Sequence, residues 1–157
     1  MIQAFCDGAC RNNQSKDNIG GWGVVLNLNC GQLVKELKGA AKNTTNNIME
    51  LTSCIKALEA IKDKSIMTEV IMDSQYVITG INEWVYNWIQ KGWRTSNKKP
   101  VENKDLWLRL LQLKTEFRNL SFTKCQGHSD NEGNNRADAL ANEAMDELML
   151  SEIKSKF

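Results

Sequence analysis

Four acids stand where an acid is out of keeping with its neighbours. Glu50 lies between Met49 and Leu51 in T-T-N-N-I-M-E-L (44 to 51), at the start of a segment with helical spacing. Leu51, Cys54, Ile55, Leu58 and Ile61 form an apolar stripe, and Lys56, Glu59 and Asp63 form the wet side. The row through Glu50 continues as Cys54, Ala57 and Ile61, so the spacing predicts a carboxylate on an otherwise buried edge. Asp138 is ringed by Ala137, Ala139, Leu140 and Ala141 in the same manner. Asp7 and Asp73 each end a short β-rich run. Singly, each has an ordinary explanation: Asp7 as a turn former, Asp73 as a helix cap, Asp138 as the partner of a nearby arginine. Spacing alone does not say whether the four meet.

If they meet, the chemistry is constrained. Two like charges about 4 Å apart repel by roughly 4 kcal/mol at an effective dielectric of about 20. A bare cluster of four must take up protons or bind a hard cation. Oxygen-only sites suit magnesium or manganese rather than zinc. A pair of such ions supports in-line displacement at phosphorus, with water activated at one and the leaving oxygen held at the other. That is nuclease chemistry.

The elements that must position these acids are legible from periodicity. Residues 1 to 6 read as a strand, and the polar run from Asp7 to Asn18 as a turn-rich loop. G-G-W-G-V-V-L-N-L (20 to 28) and L-V-K-E-L-K (33 to 38) read as two further strands around a Cys30-Gly31 turn. Short connections favour an antiparallel meander. A helix is expected from about Asn47 to Lys64, then a strand over Thr68 to Met72, with Ser74 capping the next helix. Gly80 is expected to interrupt that helical region and Gly92 to end its second piece. An amphipathic helix over Asp105 to Phe117, a strand over Leu120 to Cys125 and a final helix over about Asn134 to Leu148 complete the order. The order βββαβα…βα implies an α/β fold with a mixed sheet flanked by helices. With 157 residues and no visible boundary, residues 1 to 157 are expected to form a single domain.

Composition excludes several classes. The net charge is +1, so any nucleic-acid contact must come from a local patch. Five cysteines (6, 10, 30, 54 and 125) with no C-x-x-C and one histidine give poor support for zinc. Cys6, Cys54 and Cys125 read as small buried thiols of a reducing compartment. The N-terminus does not read as a signal peptide, and no stretch approaches membrane-spanning length. The expected location is cytoplasmic.

A local patch exists. Trp84, Trp88 and Trp93 are interleaved with Lys91, Arg94, Lys98 and Lys99, and no acid falls between 84 and 99. One reading is a small hydrophobic cluster with solvated lysines. The other is a platform for the sugars and phosphates of one nucleic-acid strand. The two are compatible.

These segments together resemble the bacterial type 1 ribonuclease H family. The likeness is carried by D-G-A-C (7 to 10), T-T-N-N-I-M-E-L (44 to 51), D-S-Q-Y-V (73 to 77), W-x3-W…G-W…K-K-P-V-x-N-x-D-L-W (84 to 107) and G-H…N-x-R-A-D-x-L-A (127 to 141), in order along nearly the whole chain. The resemblance implies a ribonuclease H-like fold with a mixed five-stranded sheet, an antiparallel meander plus parallel strands. It implies a monomeric endonuclease that cuts the RNA strand of RNA–DNA hybrids with two Mg2+ ions, Mn2+ substituting, and leaves 5′-phosphate and 3′-hydroxyl ends. Asp7, Glu50, Asp73 and Asp138 match the metal-binding carboxylates. Asp7 would bridge both ions, Asp138 would hold the water-activating one, and Glu50 and Asp73 would hold the leaving-group one. His128 matches a histidine on a mobile loop that assists proton transfer or product departure. Cys10, Asn13, Asn46 and Gln75 match contacts to the minor groove and its 2′-hydroxyls. Thr45 and Asn103 match a DNA phosphate pocket, and Trp84, Trp88, Trp93, Lys91 and Arg94 match the DNA-strand surface. Asn134 and Arg136 also fall on the last motif.

Two departures bear on affinity. I-Q-K-G-W is thinner in basic residues than the protrusion common in the family, and Asn43 stands where arginine is usual. R-N-N-Q-S-K-D-N replaces a glycine- and proline-rich first turn. Weaker hybrid binding and a shallower salt dependence are expected. The rival readings are a hybrid-binding module without catalysis and an integrase-like or exonuclease-like domain. The full set of four acids opposes the first, and the Trp/Lys segment and the G-H loop oppose the second.

Overall fold

The computed structural model describes residues 1–12, 17–28, 33–125 and 131–156. Strands β1 (Ile2–Arg11), β2 (Ile19–Leu28) and β3 (Leu33–Lys42) form the expected antiparallel meander. Helix α1 (Asn46–Ala60) crosses to β4 (Thr68–Met72), which pairs with β1 in parallel. Helices α2 (Gln75–Thr79) and α3 (Val85–Gln90) are joined by a π-helical turn over Gly80–Trp84. Helix α4 (Lys104–Glu116) leads to β5 (Leu120–Lys124), parallel to β4, and α5 (Glu132–Ser155) ends the fold. The strand order is β3-β2-β1-β4-β5, so β1 is where antiparallel pairing gives way to parallel pairing.

The two faces of the sheet follow from strand alternation. Ile2, Ala4 and Cys6 of β1, with Val24 and Leu26 of β2, face α1 and join Leu51, Cys54, Leu58, Trp107 and Leu110 in the main core. Phe5, Val25 and Ile71 face the other way, onto Ala137 and Leu140 of α5. Each fully buried Leu or Ile contributes about 1.5–3 kcal/mol. Cys6, Cys54 and Cys125 are buried thiols outside any disulfide, as expected, and burial pushes Cys54 up to about 12.

Side-chain caps set where helices begin. Thr45 accepts from the Ile48 N–H at 3.1 Å, Ser74 from Val77 at 3.1 Å, and Asn131 from Asn134 at 2.9 Å.

Several boundaries differ from expectation: α1 stops at Ala60, short of Lys64, β3 runs on past Lys38 to Lys42, and three further differences bear on the site or its support. β1 does not stop at Cys6: it runs on to Arg11 because β2 keeps pairing it, from Asp7↔Gly23 through Arg11↔Ile19, after β4 has parted. Asp7 therefore sits within a strand. Gly80 does not break the chain into separate helices, since its backbone stays helical at φ −59° and ψ −51° and the π turn carries on. Its missing side chain makes room for Trp107, whose ring an added Cβ would meet at 2.2 Å. α5 runs seven residues beyond Leu148 to Ser155, and the added stretch is tied to β3 by a Lys42–Glu152 ion pair.

Candidate active site

The register of the sheet brings two of the acids to the same end of neighbouring strands. Parallel pairing of β1 with β4 ends at Phe5↔Ile71. Two residues further on stand Asp7, still within β1, and Asp73, one residue past the end of β4. This is the crevice outside the carboxyl end of β4, at the point where the sheet's connectivity reverses.

The other two acids arrive on helices, and glycines admit them. A Cβ on Gly8 would lie 2.3 Å from the Met49 carbonyl carbon and 2.4 Å from the Glu50 nitrogen. The bare Gly8 thus lets α1 press its Glu50 turn against β1. Gly23, the β2 partner of Asp7, does the same for α5: a Cβ there would lie 2.1 Å from the Ala137 carbonyl oxygen. Asp138 follows Ala137, and its carboxyl shares a hydrogen bond with that of Asp7.

Electrostatics record the crowding. Burial pushes the Asp7 carboxyl up to about 8, aided by the hydrogen bond with Asp138 and by the charges of Asp138 and Glu50, while the Gly8 N–H pulls the other way. Glu50 is also raised, by burial first; a hydrogen bond from Ser74 opposes this and the charge of Asp73 adds to it. The Ser74 hydroxyl donates to Glu50 Oε2 while accepting the α2 cap bond.

The ordinary explanations of the acids fail one by one. Asp7 is in a strand rather than a turn, and Ser74 rather than Asp73 caps α2. Arg136 pairs with Glu36 at 2.7 Å and Glu143 at 3.1 Å, tying α5 to β3 and leaving Asp138 to Asp7.

A donor set of carboxylate oxygens that must share a proton when bare fits a hard divalent cation. Among the described residues no three His, Cys, Asp or Glu side chains close round one point as a cage.

The aromatic segment forms a second assembly. Trp88 meets Trp84, Trp93 and Trp107 at centroid distances of 6.0, 5.9 and 5.4 Å. Trp107 is fully buried and donates to the Tyr76 hydroxyl at 3.0 Å, whereas Trp84 is 37% exposed. Trp84, Trp88, Lys91, Arg94 and Thr95 line a cleft of about 270 Å³. The segment is therefore both cluster and platform.

The remaining expected contacts are placed as follows. Cys10 directs its thiol at the Thr44 carbonyl, 3.8 Å away. Thr45 caps α1, Asn46 opens it, and Gln75 opens α2 and donates to Thr79 at 2.6 Å. Asn103 has left-handed backbone and donates to the Tyr76 hydroxyl at 3.2 Å, which links it to the aromatic assembly. Asn13 and His128 lie outside the described residues.

Sequence reasoning missed Gly8, Gly23 and the second duty of Ser74. Glycine inside a strand signals close backbone approach, and that signal was present in G-G-W-G.

Comparison with known proteins shows the family. The RNase H family model matches residues 1–146. A ribonuclease H of Ruthia magnifica is 52% identical over 147 residues, covering 94% of this chain and 97% of that protein. Ribonuclease H1 of Halobacterium salinarum is similar in structure, with TM-score 0.67, 32% identity and coverage of 93% of this chain and 98% of that one. LC11-RNase H1, solved in complex with an RNA/DNA hybrid, gives TM-score 0.70 and 27% identity over 95% of this chain and 99% of its own. Among the described residues, no helix is long and apolar enough to cross a membrane.

Proposed function

We infer the reaction from one premise: this chain belongs to the ribonuclease H family. It hydrolyses the RNA strand of RNA–DNA hybrids, leaving 5′-phosphate and 3′-hydroxyl ends. The observation that carries the reading is the hydrogen-bonded Asp7–Asp138 pair with Glu50 and Asp73 beside it, at the carboxyl end of β4. Residues 1 to 157 act as one unit, as a monomer in the cytoplasm.

Asp7 and Asp138 would hold one Mg2+, and Asp7, Glu50 and Asp73 a second, with Mn2+ able to substitute. When bound, the ions supply Lewis-acid activation of water and charge neutralisation at the scissile phosphate. The chain's own part is placement. Gly8 and Gly23 fix the helix backbones that carry Glu50 and Asp138. Ser74 aims the Glu50 carboxylate by donating to it. Cys10, Asn13, Asn46 and Gln75 read the 2′-hydroxyls that distinguish RNA from DNA. Thr45 and Asn103 hold a DNA phosphate, and Trp84, Trp88, Trp93, Lys91 and Arg94 track that strand. His128 assists proton transfer or product departure.

The test is a cleavage assay with labelled hybrid, duplex DNA and duplex RNA across a magnesium titration, with the ends analysed. Cutting confined to the RNA of the hybrid, and lost in Asp7→Asn, is the expected result. Equal cutting of duplex DNA, or full activity in Asp7→Asn, overturns the reading.

A further inference from the structure

We propose that Asn18 is a positioning residue for substrate binding, holding the start of α1 so that Thr45 and Asn46 face the hybrid. The inference rests on the function proposed above. Asn18 is the last residue before β2 and is only 5% exposed. Its side-chain amide exchanges two hydrogen bonds with the backbone of Thr44: the Thr44 N–H donates to Oδ1 at 2.8 Å, and Nδ2 donates to the Thr44 carbonyl at 2.9 Å. Its own carbonyl accepts from the Asn43 N–H at 3.1 Å.

The arrangement copies a β ladder. Backbone pairing of β2 with β3 ends at Ile19↔Lys42. One residue on, Asn18 takes Asn43 with its backbone, and then takes Thr44 with a side chain that presents the same donor and acceptor as a peptide group. The sheet is thereby prolonged through the connector that leads into α1. Two bonds made by one buried planar group fix both the position and the orientation of Thr44. Thr45 and Asn46 follow directly, and Asn43, in left-handed backbone at φ 53°, is pinned on the other side.

This bracket bears on the departure noted in the sequence. The first loop lacks the glycine- and proline-rich turn usual in the family, and Asn18 closes that loop.

The Glu50 turn is anchored separately, by close contact of Gly8 with the Met49 and Glu50 backbone and by Ser74. Loosening the entrance therefore moves substrate contacts while leaving the carboxylates in place. The expected signature is a rise in KM with kcat retained.

The experiment compares wild type, Asn18→Ala, the shape-conserving Asn18→Asp, Asn46→Ala and the double variant N18D/N46A. Steady-state cleavage of labelled hybrid is measured for each, with thermal melts to confirm folding. Asn18→Asp should raise KM about three- to tenfold with kcat within about twofold, and the magnesium requirement should not move. Asn46→Ala should cost less in the N18D background than alone, since both act at one place. An unchanged KM in folded Asn18→Asp overturns the inference, as does a fall in kcat at constant KM or strict additivity with Asn46→Ala. If Asn18→Ala fails to fold, Asn18→Asp decides alone. If both variants fail to fold, Asn18 is a stability residue and the inference is lost. Wild type that does not cut the hybrid sinks the functional reading itself, whereas wild type that cuts beside an unaltered Asn18→Asp sinks this inference only.

Discussion

The acidic crevice and the aromatic platform are built on opposite principles. In the crevice, backbone contact at two glycines draws acids together, and burial first, then the hydrogen bond with Asp138 and the charges of Asp138 and Glu50, drives the Asp7 carboxyl up to about 8. In the platform, Trp88 and Tyr76 pack against a buried Trp107, and Trp84 and Trp93 pack on Trp88, in tilted and edge-to-face pairs that are favourable without any ligand. One region is uncomfortable until something binds. The other is comfortable first and offers only its rim to a partner. Removing a group from the crevice should therefore relieve the fold and abolish function, and removing one from the platform should do more harm to the fold than to the chemistry.

Asp7→Asn is the sharpest way to break that comparison. Hydrolysis should fall by roughly a thousandfold or more, since the carboxylates act as a unit. The metal-free protein should become more stable at alkaline pH, by on the order of 2 kcal/mol. The sign follows from the raised value. Between the ordinary 3.8 and about 8, folded Asp7 keeps a proton that the unfolded chain has released. The unfolded state binds fewer protons there, so stability declines as pH rises through that window and levels above it. Asp7→Asn should flatten this decline in thermal melts recorded with chelator, and magnesium should restore stability to wild type but not to the variant. A variant less stable than wild type at pH 9 without metal would show that the crevice is not under charge stress.

Trp88→Ala tests the other half. Trp88 contacts three indoles, so its loss should cost roughly 3 kcal/mol in denaturant unfolding. Trp84→Ala removes a ring that is 37% exposed and should cost less than about 1 kcal/mol in stability, while raising KM for hybrid several-fold. Equal stability losses would mean that the exposed indole belongs to the cluster rather than to its rim.

Ser74 stands between the two regions, capping the helix that carries Tyr76 and aiming Glu50. Ser74→Ala should lower stability by about 1 kcal/mol through the lost cap. The magnesium concentration for half-maximal activity should rise roughly tenfold, as for other groups that orient a metal ligand. Ser74→Thr keeps the hydroxyl and should recover most of both. A metal requirement that stays at the wild-type level in Ser74→Ala would confine this serine to capping.

These regions were legible in the sequence to different depths. Helical periodicity gave the buried edge of α1 correctly, and with it the oddity of Glu50, because burial is a local pattern of one element. The convergence of Asp7 with Asp73 was not local: it depends on the register of β1 against β4, which no periodicity encodes. The polar run after Cys6 concealed the second half of β1, since alternation is lost where a strand leaves the core and enters a site. Gly80 signalled a break because glycine disfavours helices, but packing against Trp107 overrode propensity. Ser74 was visible as a cap, yet its bond to Glu50 is tertiary. Motif resemblance supplied what periodicity could not, by naming all four acids as one set.

The smallest effect concerns salt. Lys91 and Arg94 are exposed at the rim of the platform cleft, and Arg94 already donates to the Lys98 carbonyl at 3.2 Å. Each phosphate contact releases about one counterion equivalent, so losing one should lower the slope of log affinity against log salt by roughly one. Lys91→Ala should show that full unit. Arg94→Ala should show less, because part of its bonding capacity holds the 94–100 hairpin rather than a phosphate. Neither change should alter kcat at saturating hybrid, because neither side chain reaches the carboxylates' chemistry. Hybrid binding measured across a salt series with Ca2+ in place of Mg2+ checks this. An unchanged slope in Lys91→Ala would take the platform's basic rim out of the substrate path and leave Trp84 as its one contact of consequence.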